Sequence, residues 1–154
     1  SRIIVGEVRG GEALEMLQAM NTGHDGSMST GHGNSPKDML SRLETMVLTA
    51  AELPLQAVRS QISSAIDILI HLGRLRDRSR RILTIAEIGG IEDGEIILNP
   101  LYEFREKAEE KGKQGTEKTS ARKPGSRTDQ VKGCLEKVGE LQNRDKLAAA
   151  GYQL

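Results

Sequence analysis

Residues 2–32 read RIIVGEVRGGEALEMLQAMNTGHDGSMSTGH, and the order of residue types in this stretch sets the fold class. Three consecutive β-branched residues, Ile3, Ile4 and Val5, predict a strand buried on both faces. Gly6 and Glu7 follow at once, so a carboxylate stands at the carboxyl end of that strand, the edge where open α/β sheets bind ligands. Arg9 comes next but one, and Gly10-Gly11 lets the chain turn into a helix predicted over Glu12 to Met20. Its apolar residues at 13, 14, 16, 17 and 20 have helical spacing. A polar Asn-Thr-Gly turn then delivers His24, a short segment with Ser27, Met28 and Ser29, and finally Thr30-Gly31-His32.

Downstream, Ser35, Pro36 and Asp38 fit the N-cap, first and third positions of a helix that runs to about Ala51. Its inner face is expected to carry Met39, Leu40, Leu43, Met46, Val47 and Ala50. Leu53-Pro54 breaks it, and a second helix is predicted over Leu55 to Ser64, with Leu55, Val58 and Ile62 buried and Arg59 and Gln61 outside. From residue 66 the period changes. Ile66–Leu75, Arg80–Ile91 and Glu95–Phe104, separated by Asp77-Arg78-Ser79 and Glu92-Asp93-Gly94, predict three strands of an antiparallel meander. Residues 106–128 are almost without apolar side chains, which predicts a linker without a core. Val131–Val138 suggests a short strand, and Asn143 is expected to cap a small helix through Ala150, closed by Gly151. The organisation expected is therefore 1–105, a linker over 106–128, and a small strand-helix unit over 129–154.

Lys plus Arg and Asp plus Glu are both 22, which argues against a generic electrostatic nucleic-acid binder. Aromatics are confined to Tyr102, Phe104 and Tyr152, too few for a base-stacking surface. The single cysteine, Cys134, has no intramolecular partner for a disulfide, and three histidines with one cysteine match no zinc pattern. No apolar run approaches the length of a membrane span. Arg74, Arg76, Arg80 and Arg81 flank the first hairpin turn and read as a solvated sheet end, and His71 as an ordinary strand residue.

An acid ending an apolar strand is the arrangement of a Walker B segment, which holds or polarises Mg²⁺-bound water beside a nucleoside triphosphate. Together with GHDGSMSTGH, SPKDMLSRLETMVL and IDILIHLGRLRDRSRRILTIAEIGGIEDGEIILNPLYEF, the opening stretch resembles the Walker B and histidine-box region of the type II/IV secretion ATPases, and within them the branch that powers Flp-type (tight-adherence) pilus assembly. The resemblance implies an α/β fold, the C-terminal part of a RecA-like P-loop core with an antiparallel β-meander extension. It implies ATP and Mg²⁺ as ligands, with Glu7, Arg9 and His32 catalytic, His24, Thr30 and His32 near the nucleotide, and Glu7 acting on Mg²⁺ through water. It further implies a homo-hexamer working with inner-membrane secretion or pilus platform proteins, cytoplasmic and peripheral to the membrane, without direct nucleic-acid contact. Relatives often place Gly in the first meander turn, where this chain has Arg78. The phosphate-cradling GxxxxGK[ST] of P-loop ATPases does not occur in the sequence, so the chain reads as the C-terminal portion of a longer ATPase. A non-hydrolysing assembly module and a DNA-translocating conjugation ATPase are the competing readings.

Overall fold

A computed structural model describes residues 2–107 and 130–152. It begins with a βαβ unit. Strand β1 (Ile4–Val5) pairs in parallel with β2 (Met28–Ser29), and helix α1 (Glu12–Asn21) makes the crossover. Helices α2 (Pro36–Ala50) and α3 (Leu55–Ala65) follow, then strands β3 (Ile68–Arg74), β4 (Arg80–Glu92), β5 (Glu95–Glu106) and β6 (Gly133–Lys137), and helix α4 (Asp145–Ala149). The last four strands form one antiparallel sheet in the order β3-β4-β5-β6. The meander is as the sequence predicts, with β6 added beside β5 through pairs such as Phe104 with Leu135. Of the expected linker, residues 108–128 lie outside the described residues.

The three helices and the sheet enclose one core. Leu17 of α1, Leu43 and Val47 of α2, and Val58 and Ile62 of α3 are fully buried, and Ile88 joins them from β4. Burying each such side chain is worth roughly 1.5–3 kcal/mol against leaving it in water, so this aliphatic cluster anchors the βαβ unit to the sheet. Helix α2 starts as its sequence dictates: Ser35 Oγ accepts the Asp38 N–H at 3.1 Å, with Pro36 at the first position. The two turns of the meander obey hairpin rules. Asp93 (φ 49°) and Gly94 (φ 79°) form a two-residue turn between β4 and β5. The β3–β4 turn closes by Arg78 N–H to Leu75 C=O at 2.9 Å, and Arg78 occupies the left-handed region at φ 67°. Glycine adopts that conformation without steric cost, and arginine adopts it here.

Several expectations need correction. The first strand is not buried on both faces: Ile4 is 63% exposed, and its register partner Met28 is 61% exposed. Alternation along the strand packs the partly buried Val5 against the core and turns Ile4 away from it. Leu55 is exposed, since it occupies the first turn of α3. Arg59 is not outside. Its side chain is tucked between elements, donating to Glu44 at 2.8 Å, Glu95 at 2.8 Å and the Gly94 carbonyl at 2.6 Å; three acceptors hold it where its charge alone would have sent it to solvent. Asn143 does not cap α4, whose N-cap is Arg144. The Asn143 N–H is used elsewhere: with Gln142 N–H and Asn99 Nδ2 it donates to the buried carboxylate of Glu87, at 2.7, 3.0 and 2.9 Å. Burial alone would raise the pKa of Glu87, but these three bonds outweigh it and hold the carboxyl below its ordinary value.

Candidate active site at the end of the first strand

The parallel ladder of β1 and β2 continues past its last register pair. Val8 N–H donates to the Thr30 carbonyl at 2.9 Å, and Thr30 Oγ1 donates to the Gly6 carbonyl at 2.6 Å. These two bonds lay Thr30-Gly31-His32 alongside Gly6-Glu7-Val8. Val8 is buried in the core, which turns Glu7 on one side of it and Arg9 on the other toward the surface. The result is a three-residue cluster. Glu7 Oε2 is 2.5 Å from Arg9 Nη2, and Glu7 Oε1 is 2.7 Å from His32 Nε2.

The three side chains differ in exposure. Those of Arg9 and His32 are 77% and 78% exposed, while that of Glu7 is 23% exposed, so the carboxylate sits at the bottom with two nitrogen-bearing groups above it. The Arg9 hydrogen bond is the main cause holding the Glu7 carboxyl below its usual pKa; partial burial opposes it, and the charges of Arg9 and His32 reinforce it. Glu7 raises the pKa of Arg9 in return. Glu7 Oε1 is shut off from solvent with His32 Nε2 as its contact, and since a carboxylate oxygen has two lone pairs it keeps acceptor capacity. A single ionised carboxylate with spare capacity fits Mg²⁺, which binds through one or two carboxylates, retained waters and substrate phosphates. Among the described residues no group of three or more His, Cys, Asp or Glu side chains forms a cage of its own.

Thus Glu7, Arg9, Thr30 and His32 are brought together. His24 is not among them. It stands at the opposite end of the short β1–β2 sheet, with Nδ1 3.1 Å from the Ala19 carbonyl in the last turn of α1. Its own carbonyl accepts from Ser27 Oγ at 2.7 Å, and Ser27 Oγ in turn accepts the Ile3 N–H at 2.9 Å. Those are the contacts of a helix-end and loop-fixing residue.

Two features beside the cluster were not read from the sequence. Glu12, the first residue of α1, accepts the N–H groups of Arg9 and Gly10 on one oxygen, at 2.7 and 3.1 Å. The signal available was an acid in a first helical turn preceded by two glycines with no side chain to cap it. Next to Arg9, an open cleft of about 610 Å³ lies between Gly10-Gly11 and the Arg42, Thr45 and Thr49 face of α2. Neither Glu7 nor His32 lines it.

Comparison with known proteins gives the family. The model of the family "Type II/IV secretion system protein" matches residues 1–139. A putative conjugal transfer protein of Mycobacterium tuberculosis is 41% identical over 85 residues, 55% of this chain and 24% of the relative. The probable conjugal transfer protein TrbB of Sinorhizobium fredii is 38% identical over 107 residues, 68% of this chain and 32% of the relative. The crystal structure of the VirB11 ATPase from the Brucella suis type IV secretion system, in complex with sulphate, matches with a TM-score of 0.53 at 30% identity, covering 56% of this chain and 27% of that one. The chain spans about a quarter to a third of the length of these proteins. Its α/β architecture is that of part of a RecA-like secretion ATPase. With the family model matched over residues 1–139, the chain belongs to the type II/IV secretion system protein family.

Proposed function

We propose that this chain carries the water-activating end of an ATP-hydrolysis site, in a longer secretion or pilus-assembly ATPase whose phosphate cradle lies in other residues. The observation that supports this most is the Glu7 carboxylate held between Arg9 and His32 at the end of β1. In this reading Glu7 accepts a proton from the water that attacks the γ-phosphate. Arg9 keeps the carboxylate ionised and aimed. His32, the other exposed neighbour, exchanges its contact with Glu7 for the γ-phosphate and so distinguishes triphosphate from diphosphate. Glu7 would hold Mg²⁺ through water, and the ion when bound would neutralise charge on the phosphates. The working unit is a hexamer on inner-membrane platform proteins at the cytoplasmic face, and the Flp-type branch follows from the sequence motifs.

Work in conjugal transfer is a second reading, favoured by the names of two relatives. The balance of 22 basic and 22 acidic residues argues against DNA contact, which would weaken steeply with salt. The deciding experiment measures Mg-ATP binding and turnover by this chain, and by the longer protein containing it, each beside Glu7→Gln. Turnover by the longer protein alone, abolished by Glu7→Gln with nucleotide binding retained, is the expected result. Turnover unchanged by Glu7→Gln overturns the assignment, and turnover by this chain alone overturns the placement of the phosphate cradle elsewhere.

A further inference from the structure

We infer that Glu12 is a positioning residue that sets the aim of Arg9 at Glu7. The inference rests on the reading of Glu7 just proposed, and adds to it the part that keeps its partner in place. Helix α1 starts after Gly11, which offers no side chain to its free N–H groups. Glu12 does not cap the helix's own N–H groups but folds backward onto the segment before it, its Oε1 accepting both Arg9 N–H at 2.7 Å and Gly10 N–H at 3.1 Å. Gly10 leaves room for the carboxylate: a Cβ there would stand 3.3 Å from Glu12 Oε2. On the other side, the Val8 N–H is tied to Thr30 and the Val8 side chain is buried. The backbone of residues 8–10 is therefore pinned at both ends. Arg9, whose guanidinium is otherwise solvent-exposed, leaves this segment in one direction, toward Glu7 Oε2.

A glutamate that only stabilised its helix would leave the Arg9 guanidinium unaffected by its loss, and this difference makes the inference testable. The measurement is the ¹⁵N–¹H spectrum of the Arg9 guanidinium in the nucleotide-free chain, assigned by its disappearance in Arg9→Lys. Glu7→Gln marks where the signal lies once its charged partner is gone. Glu12→Ala is expected to move the signal most of the way to that position. Glu12→Gln, which keeps one acceptor oxygen at the same reach, is expected to leave it near the wild-type position. Glu12→Asp, one methylene shorter, falls between, and decides together with Glu12→Gln if the alanine variant does not fold. An Arg9 signal indifferent to all three substitutions overturns the inference, as does equal loss in Glu12→Gln and Glu12→Ala. Because no nucleotide is present, the result is independent of whether Glu7 activates water, which the turnover experiment reads separately.

Discussion

His32 Nε2 stands 2.7 Å from Glu7 Oε1, although α1 and β2 lie between the two residues in the chain. The contact exists because parallel pairing of β1 with β2 runs on through Val8 and Thr30. In the longer ATPase proposed above, His32→Ala is expected to lower kcat about 100-fold, the usual cost of losing one donor at a transition-state oxygen, with Kd for Mg-ADP unchanged. A kcat within twofold of wild type would remove His32 from the γ-phosphate.

Gly31 and Gly33 flank His32, and their surroundings differ in a way that substitution exposes. A Cβ on Gly33 would meet the backbone N and Cα of Met39 at 3.0 and 3.1 Å, so α2 itself must shift. A Cβ on Gly31 would meet the end of the Met39 side chain, which can change rotamer. Gly33→Ala is expected to cost about 1–3 kcal/mol and Gly31→Ala clearly less, by thermal or urea unfolding. The reverse order would contradict the described packing of the histidine segment on α2.

Asp77 ties the β3–β4 turn to the strand that returns at β6. Its carboxylate accepts from Ser79 Oγ at 2.6 Å, from Ser79 N–H at 2.9 Å and from Val131 N–H at 2.9 Å. Led by the Ser79 hydroxyl, these bonds lower its pKa from 3.8 to about 2. A carboxyl whose pKa is depressed by folding stabilises the native state above its unfolded value and loses that contribution as pH falls through the folded one. The Tm difference between wild type and Asp77→Asn is therefore expected to be constant near neutrality and to shrink from about pH 3.8 toward pH 2. A difference that grows with acid would contradict the assignment.

Arg78 holds a left-handed backbone at φ 67°, a conformation that costs a side-chain-bearing residue roughly 1–2 kcal/mol. Arg78→Gly is expected to stabilise the chain by about 1 kcal/mol, the relief being offset in part by the freedom glycine has when unfolded. Chemical denaturation with an unchanged m-value checks it.

Local chemistry made much of this fold legible. The cap at Ser35, the Asp93-Gly94 turn and the aliphatic spacing of α1 and α2 each depend on residues within a few positions of one another. Where reading failed, distant partners were responsible. Arg59 looked like a surface residue because its acceptors, Glu44, Gly94 and Glu95, come from α2 and from the β4–β5 turn. Asn143 looked like a cap because the buried acid that takes its N–H, Glu87, lies in β4. At the candidate site, the strand-end pattern pointed to Glu7, while Arg9 and His32 came only from the family resemblance. Nothing in the spacing of two histidines told which one parallel pairing would bring to the carboxylate and which would close the end of α1.

The hydrogen bond from Val8 to Thr30 has a thermodynamic consequence for this region. Strands β1 and β2 share only two register pairs, so little cooperative structure resists separation of their ends, and such segments open at a small fraction of the global unfolding free energy. The Val8 amide should exchange with deuterium far faster than amides at the centre of β4. Glu7 and His32 then part by a local fluctuation, while the helices and the antiparallel sheet stay folded.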